Sequence, residues 1–282
     1  MLPLDFHPKK RRGQIFLIDK NIITKIIKAI SLNRGNIVLE IGPGQGILTE
    51  ELANYAKKVI AVELDKKLYD YLQTLLKNFV NIELINKDIL KFDIEKFLRN
   101  KKIKQKITLV GNIPYNITTP ILEYIFENIR FLNTAYLMVQ KEFALRLIAK
   151  PNTKDYSSIS CFAQFHTNPS LLFTVKKTCF RPRPRVDSCF IKLEPKKSDY
   201  WSDSLSLKNK KWLFKIIRSA FNQRRKNILN SLSAILDKGK ILSILLKLNI
   251  DWRKRAEDLS IQDFIKISNL CFDYFNSRHI IE

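Results

Sequence analysis

The chain has 282 residues, 45% of them hydrophobic, which is enough to bury one large core or a large and a small one and excludes a disordered chain. Fifty Lys and Arg stand against 27 Asp and Glu, a net charge of +23 that points to a polyanion, chiefly nucleic acid, against the plainer reading of a lysine-rich solvated surface. Four scattered cysteines with no CxxC pair and three isolated histidines exclude a zinc-type ligand set, so a reduced protein without a metal is expected.

The start, "MLPLDFHPKKRRG", is basic and is followed by no signal-type apolar stretch or small-residue cleavage site. Residues 1–20 have two readings. One is a basic tail leading to a helix capped at Asp19. The other is a lid, with Arg11 and Arg12 on phosphates and Gln14 to Leu17 folded over a ligand mouth.

Strand-like and helix-like segments then alternate. "NIVLEIG" (36–42) is a short apolar run ending at glycine, and Ile47 to Tyr55 has helical spacing. "KVIAVELD" (58–65) reads as a strand, and the next segment puts Leu68, Leu72, Leu75 and Leu76 on one helical face. "NIELINKD" (81–88) and "KITLVGN" (106–112) are further strands, followed by a helix from Pro120 to Ile129, a strand over 134–140 and a helix over 141–150. This alternation predicts an α/β fold, a Rossmann-like, mostly parallel sheet with helices on both faces. Stretches 158–165, 170–175 and 188–193 read as strands suited to an antiparallel edge. After 194–204 helical patterns run to the end, at 208–221, 224–236, 238–248 and 261–276. Lys247 interrupts the "ILSILLKLNI" run, so no membrane span is expected and the protein reads as soluble and cytoplasmic. A boundary near 200 divides a larger domain, 1–200, from a small all-α one, 201–282.

"VLEIGPGQG" places Gly42, Gly44 and Gly46 between a strand and a helix, where glycine lets the backbone turn sharply and approach a ligand. Glu40 precedes the turn, Glu63 ends the second strand and Asp88 ends the third. A carboxylate at Glu63 suits the two hydroxyls of a ribose, and one at Asp88 suits an adenine amino group. Three carboxylates at successive strand ends favour an adenosine-containing ligand over ordinary helix caps, and spacing alone leaves a nicotinamide dinucleotide open.

"VGNIPYN" leaves the fourth strand on the same sheet edge. Pro114 fixes its own φ and biases Ile113 to an extended conformation, so the loop is pre-shaped. The Asn112 amide oxygen and the Ile113 carbonyl are two acceptors able to hold an exocyclic amine with its lone pair directed at an electrophile. Tyr115 offers a flat face for a base, against the alternative of an Asn-Pro turn with a core-anchoring tyrosine.

Together and in this order, "EIGPGQG", "VELD", "KDIL" and "NIPYNITTP" resemble the adenine-N6 methyltransferases of ribosomal RNA. "GQIFL" resembles their N-terminal signature, and "CFRPRPRVDS" and "AFNQRRKNILNSL" resemble their downstream ones. The resemblance runs from about residue 9 to 270 and is nearest to the KsgA-type small-subunit rRNA dimethyltransferases. It implies a class I S-adenosylmethionine-dependent methyltransferase domain followed by a helical rRNA-contacting domain. The implied substrate is a pair of adjacent adenines near the 3′ end of 16S rRNA, in the small subunit or an assembly intermediate, each receiving two methyls at N6. S-adenosylmethionine, leaving as S-adenosylhomocysteine, is then held by Gly42, Gly44, Glu63, Asp88 and Asn112, with Glu40 near its methionine end. The resemblance also implies contacts from Ile15 and Leu17. The family usually carries Asn or His at the first, so Ile15 can offer only its backbone. Phe180 matches an aromatic that covers the other face of the target adenine, against the reading of a core Phe. Arg181, Arg183 and Arg185 in a proline-spaced loop, and Arg224, Arg225 and Lys226, suit RNA phosphates, whereas the lysines of 208–215 read as a solvated face. A monomer is expected. The rival readings are an Erm-type enzyme of large-subunit rRNA and a non-catalytic RNA-binding assembly factor.

Overall fold

The computed structural model describes residues 13–196 and 207–276. Two compact units emerge: Met1–Ala144 with Asn168–Pro195, and Leu145–Thr167 with Lys196–Glu282.

The first unit opens with β1 (Phe16–Leu17) and α1 (Lys20–Ile30), then alternates β2 (Ile37–Ile41), α2 (Ile47–Tyr55), β3 (Lys58–Glu63), α3 (Lys66–Leu75), β4 (Ile82–Asn86), α4 (Ile94–Asn100) and β5 (Ile107–Asn112). After α5 (Thr118–Glu127), β6 (Leu132–Gln140) and α6 (Lys141–Ile148) come α7 (Ser158–His166) and the strands β7 (Thr167–Val175), β8 (Phe180–Arg181) and β9 (Ser188–Pro195). Seven strands form one sheet in the order β4-β3-β2-β5-β6-β9-β7. The first five are parallel and β9 runs antiparallel to β6. Every residue of β2 is buried, as expected for a central strand covered on both faces. The chain steps outward from β2 through β3 to β4, then crosses back to put β5 on the other side of β2. That reversal opens a crevice at the carboxyl ends of β2 and β5, the place where open α/β sheets take ligands.

Local sequence explains the helices around this crevice. Asp19 caps α1, accepting the N–H groups of Asn21 and Ile22 at 2.9 and 3.3 Å. Ile23, Ile26, Ile27 and Ile30 follow at helical spacing and are buried. Asp65 caps α3 in the same way, and Leu68 and Leu72 lie beneath it.

The helical unit holds α7, α8 (Leu207–Asn222), α9 (Ile228–Leu232), α10 (Lys238–Lys247) and α11 (Ile261–Asn276). Its core is apolar, with Tyr156, Cys161, Ile216, Leu232, Ile244 and Phe264 fully or almost fully buried. Three expectations are corrected here. Residues 158–166 are helix, not strand, because Cys161 and Phe165, four apart, both enter this core. The helical unit is therefore not confined to residues beyond the boundary near 200; it also takes Leu145–Thr167, whose Ala149 and Tyr156 share the same core. Finally, 224–236 is not one helix. A turn closed by the Lys226 N–H on the Gln223 carbonyl precedes a short α9, which Asn227 caps by accepting the Asn230 N–H at 2.9 Å. The stretch 201–206 lies outside the described residues.

Candidate active site

One crevice gathers the Gly13–Leu17 segment, the turn after β2, the end of β3 and the loop after β5, with side chains of α1, α2, α3, β6 and β9 completing its lining. Its floor is the glycine turn. Gly42 and Gly44 hold φ of +67° and +59°, a region that other residues enter only with strain. A Cβ built on Gly42 would meet no atom within 4 Å, whereas one on Gly44 would lie 2.9 Å from the Phe16 ring. The first glycine keeps a ligand-sized approach open, and the second lets the N-terminal segment close down on the turn.

Two acids stand beside this turn. Glu63, 6% exposed, accepts the Gly44 N–H at 3.2 Å with one oxygen and the Asp65 N–H at 2.8 Å with the other. Burial raises its pKa, and these backbone donors offset part of the rise. Glu40, 2% exposed, is less well served: its Oε2 has no hydrogen-bond partner among the described residues. Burial pushes its carboxyl from 4.5 up to about 7; the Thr49 hydroxyl pulls the other way, short of a well-formed hydrogen bond, and the charge on Glu63 adds to the rise.

The β5 loop forms the opposite wall. The Asn112 Nδ2 donates to the Ile15 carbonyl at 2.8 Å, which fixes the amide and leaves Oδ1 as its acceptor. The Ile113 N–H donates to the Met138 carbonyl at 3.1 Å and ends the ladder with β6. Pro114 follows, and among the described residues the Ile113 carbonyl receives no hydrogen bond. Tyr115 opens a 3-10 turn, half-buried, with its hydroxyl 2.7 Å from Ser188 Oγ. Its pKa is raised, chiefly by burial; the Ser188 hydrogen bond opposes this and the negative charge of Asp187 adds to it. The phenol therefore stays protonated at neutral pH. Thr118 serves helix entry, its hydroxyl donating to the carbonyls of Pro114 and Tyr115.

Of the residues singled out from sequence, Ile15, Leu17, Glu40, Gly42, Gly44, Glu63, Asn112, Ile113, Pro114 and Tyr115 come together around the crevice. Gln14 to Leu17 line the crevice, and Asp19 caps the helix that follows. Ile15 contributes its backbone, and the Gln14 Nε2 reaches Asp65 Oδ2 at 3.3 Å across the mouth.

Two residues are not brought to the wall. Asp88 accepts the Leu90 N–H at 3.0 Å and caps the turn after β4. Phe180 is 3% exposed, pairs with Leu17 in a two-stranded ribbon and packs in the core with Val175 and Phe190. Arg181, Arg183, Arg185, Arg225 and Lys226 are exposed. Arg224 is spent internally: its Nη2 donates to the carbonyls of Lys154 and Tyr156 at 3.0 and 3.2 Å and to Glu257 at 3.1 Å. Arg11 and Arg12 lie outside the described residues. Sequence reading missed Gln14 as a clasp, Asp65 as its acceptor and Ser188 as the partner of Tyr115. The last two stand inside the quoted stretches "VELD" and "RVDS", but their partners lie 51 and 73 residues away.

A five-stranded parallel run, a glycine turn at the reversal of strand order and acids at the strand ends define a Rossmann-like, class I methyltransferase. The ribosomal RNA adenine dimethylase family matches residues 6–273, and the chain belongs to that family. It is 39% identical to ribosomal RNA small subunit methyltransferase A of Clostridium botulinum (strain Loch Maree / Type A3), over 95% of this chain and 96% of the relative. Among solved structures, a dimethyladenosine transferase from Plasmodium falciparum superposes with a TM-score of 0.75 at 27% identity, over 94% of this chain and 98% of the other. The 23S rRNA methyltransferase ErmE superposes at 0.69 and 25% identity, over 91% and 99%. The chain is thus an S-adenosylmethionine-dependent rRNA methyltransferase by family. No helix among the described residues is long and apolar enough to cross a membrane, and no group of three or more His, Cys, Asp or Glu among them could hold a metal.

The residues present fit such a methyl donor. The backbone at Gly42 admits a close approach, the buried Glu63 carboxylate stands at a strand end as a ribose acceptor would, and the unpartnered oxygen of Glu40 awaits a donor.

Proposed function

We propose that the chain transfers methyl groups from S-adenosylmethionine to N6 of two adjacent adenines near the 3′ end of 16S rRNA, two to each, in the small ribosomal subunit or a precursor of it. The observation that carries the chemistry is the orientation of Asn112. With Nδ2 committed to the Ile15 carbonyl, Oδ1 and the neighbouring Ile113 carbonyl are a pair of acceptors, which suits an exocyclic amine: both N6 hydrogens in the first transfer and the one that remains in the second. The small-subunit assignment is supported by curated relatives that carry that name over nearly their whole length.

When bound, S-adenosylmethionine supplies an electrophilic sulfonium methyl. Gly42, Gly44, Glu63 and the backbone of Ile15 and Leu17 would hold it, with Glu40 at its amino-acid end. The two acceptors draw on the amine hydrogens, so the nitrogen lone pair is left for attack, and the Tyr115 ring stacks on the base. No general base is required, because the methylated ammonium is acidic enough to lose its proton to water. Tyr115, with its raised pKa, is a platform and not a base.

Exposed Arg181, Arg183 and Arg185 supply cations for phosphates on the sheet unit. In the helical unit the phosphate face is α8, where Lys211, Lys215, Arg218 and Asn222 recur at helical spacing, exposed, on a helix without a single acid. This alignment favours RNA contact over the solvated-face reading of the α8 lysines. A ribosomal substrate supports a cytoplasmic location for the protein.

The test is methyl transfer from labelled S-adenosylmethionine to small subunits lacking the modification, beside large-subunit RNA. Label is expected on the small subunit alone, in N6,N6-dimethyladenosine. Label confined to the large-subunit RNA would return the Erm-type reading, and none on either would favour a non-catalytic assembly factor.

A further inference from the structure

Tyr115 carries a hydroxyl that stacking does not need. The structure commits that hydroxyl elsewhere: it lies 2.7 Å from Ser188 Oγ, at the first residue of β9. Ser188 is fully buried and sits in register with Gln140 at the end of β6. Its neighbour Asp187 is held from three sides. The Asp187 carbonyl accepts the Lys141 N–H at 3.0 Å, and its carboxylate takes the Lys177 N–H at 3.0 Å and Lys176 Nζ at 3.4 Å. The strand entry is thus pinned, and Ser188 with it. Tyr115, in contrast, stands in a single 3-10 turn between a proline and a helix.

We propose that Ser188 is a positioning residue for the methyl transfer, tethering the Tyr115 hydroxyl so that the ring is held at one angle in the crevice wall. The inference rests on the stacking role given to Tyr115 above. It accounts for a tyrosine at this position in place of a phenylalanine: the ring meets the base, and the hydroxyl is the ring's anchor. It also gives the end of "RPRPRVDS" a task in catalysis although none of its residues lines the crevice. A base misplaced by a fraction of an ångström misaligns the amine lone pair, so loss of the tether falls on turnover rather than on ligand affinity.

Three variants test this: Ser188→Ala, Tyr115→Phe and the double. Each is assayed for kcat and KM on unmethylated small subunits and for S-adenosylhomocysteine binding by calorimetry. Each single variant is expected to lower kcat by about tenfold, as one lost positioning hydrogen bond would. The double is expected to be no worse than either single, because both remove the same contact, and S-adenosylhomocysteine affinity should hold within about twofold. Additive losses, or an unchanged kcat in Ser188→Ala, would overturn the proposal, as would an equal fall in S-adenosylhomocysteine affinity.

A second readout needs no activity. With 13C-labelled tyrosine, the Tyr115 ring signal should be sharp in the native protein and broadened in Ser188→Ala. A ring equally sharp in both would refute the tether even if the native protein methylated no small subunit, an outcome that would instead count against the substrate assignment.

Discussion

At the carboxyl ends of β2 and β3, Glu40, Glu63 and Asp65 lie buried at 2%, 6% and 1% exposure, whereas among the described residues the helical unit buries no carboxylate. The polar groups it does bury are hydroxyls and His166, whose pKa burial lowers to about 3, with Lys210 adding, so that it stays neutral. A buried acid is costly unless fully paired, and Glu40 is not. The contrast shows two uses of an interior. The helical unit fills its core for stability, and the sheet unit gives up stability at one edge to keep charge where a ligand enters. The largest single effect is expected on the stability side. Phe264, fully buried among Phe221 and its neighbours, should cost roughly 3–5 kcal/mol of unfolding free energy when cut to alanine. Urea denaturation would measure it. At low temperature, where the variant stays folded, S-adenosylhomocysteine affinity should be unchanged, and a parallel fall would break the division of roles.

Asn112 tests the other side. Asn112→Ala removes one acceptor and frees the Ile15 carbonyl. Turnover on small subunits is expected to fall roughly 100- to 1,000-fold, the usual loss for one preorganised polar group at a reacting centre. Urea unfolding should move by only about 1 kcal/mol, since a single partly buried hydrogen bond is lost. Near-normal turnover in this variant would remove the acceptor-pair reading outright.

The sheet edge was legible because its chemistry is local. Apolar runs end at Gly42, Glu63, Asp88 and Asn112, and each run is a strand whose end the turn residue marks. The cap at Asp19 was legible for the same reason. What sequence could not show depends on partners far along the chain. "SISCFAQF" is short enough to carry a two-residue and a helical period at once, and the core around Phe214 and Phe264 decides for helix. Arg224 looks like its neighbour Arg225 until the carbonyls of Lys154 and Tyr156, some 70 residues earlier, claim its guanidinium. Asp88 and Asn112 both end strands, but only Asn112 meets the crevice, since β4 is the outermost strand and β5 adjoins the reversal.

The pH dependence of Glu40 is the most direct measure of what the sheet edge gives up. Burial lifts the Glu40 carboxyl from 4.5 to about 7, so between those values the folded chain holds a proton that the unfolded chain has released. Stability from this group is complete below about pH 4.5, declines as pH rises through that window and is lost above about 7. The shift corresponds to on the order of 3 kcal/mol, less whatever the surroundings relax. Glu40→Gln keeps a neutral side chain at every pH. Without ligand, it should melt like the native protein near pH 4 and at a higher temperature near pH 8. Adding S-adenosylhomocysteine at pH 8 should narrow that gap, because only the ionised carboxylate can pair with the ammonium of an amino-acid ligand. Thermal melts at the two pH values, with and without S-adenosylhomocysteine, decide it. A gap that ligand leaves unchanged would make Glu40 a buried acid of the fold alone, and the sheet unit would then resemble the helical one more than the crevice suggests.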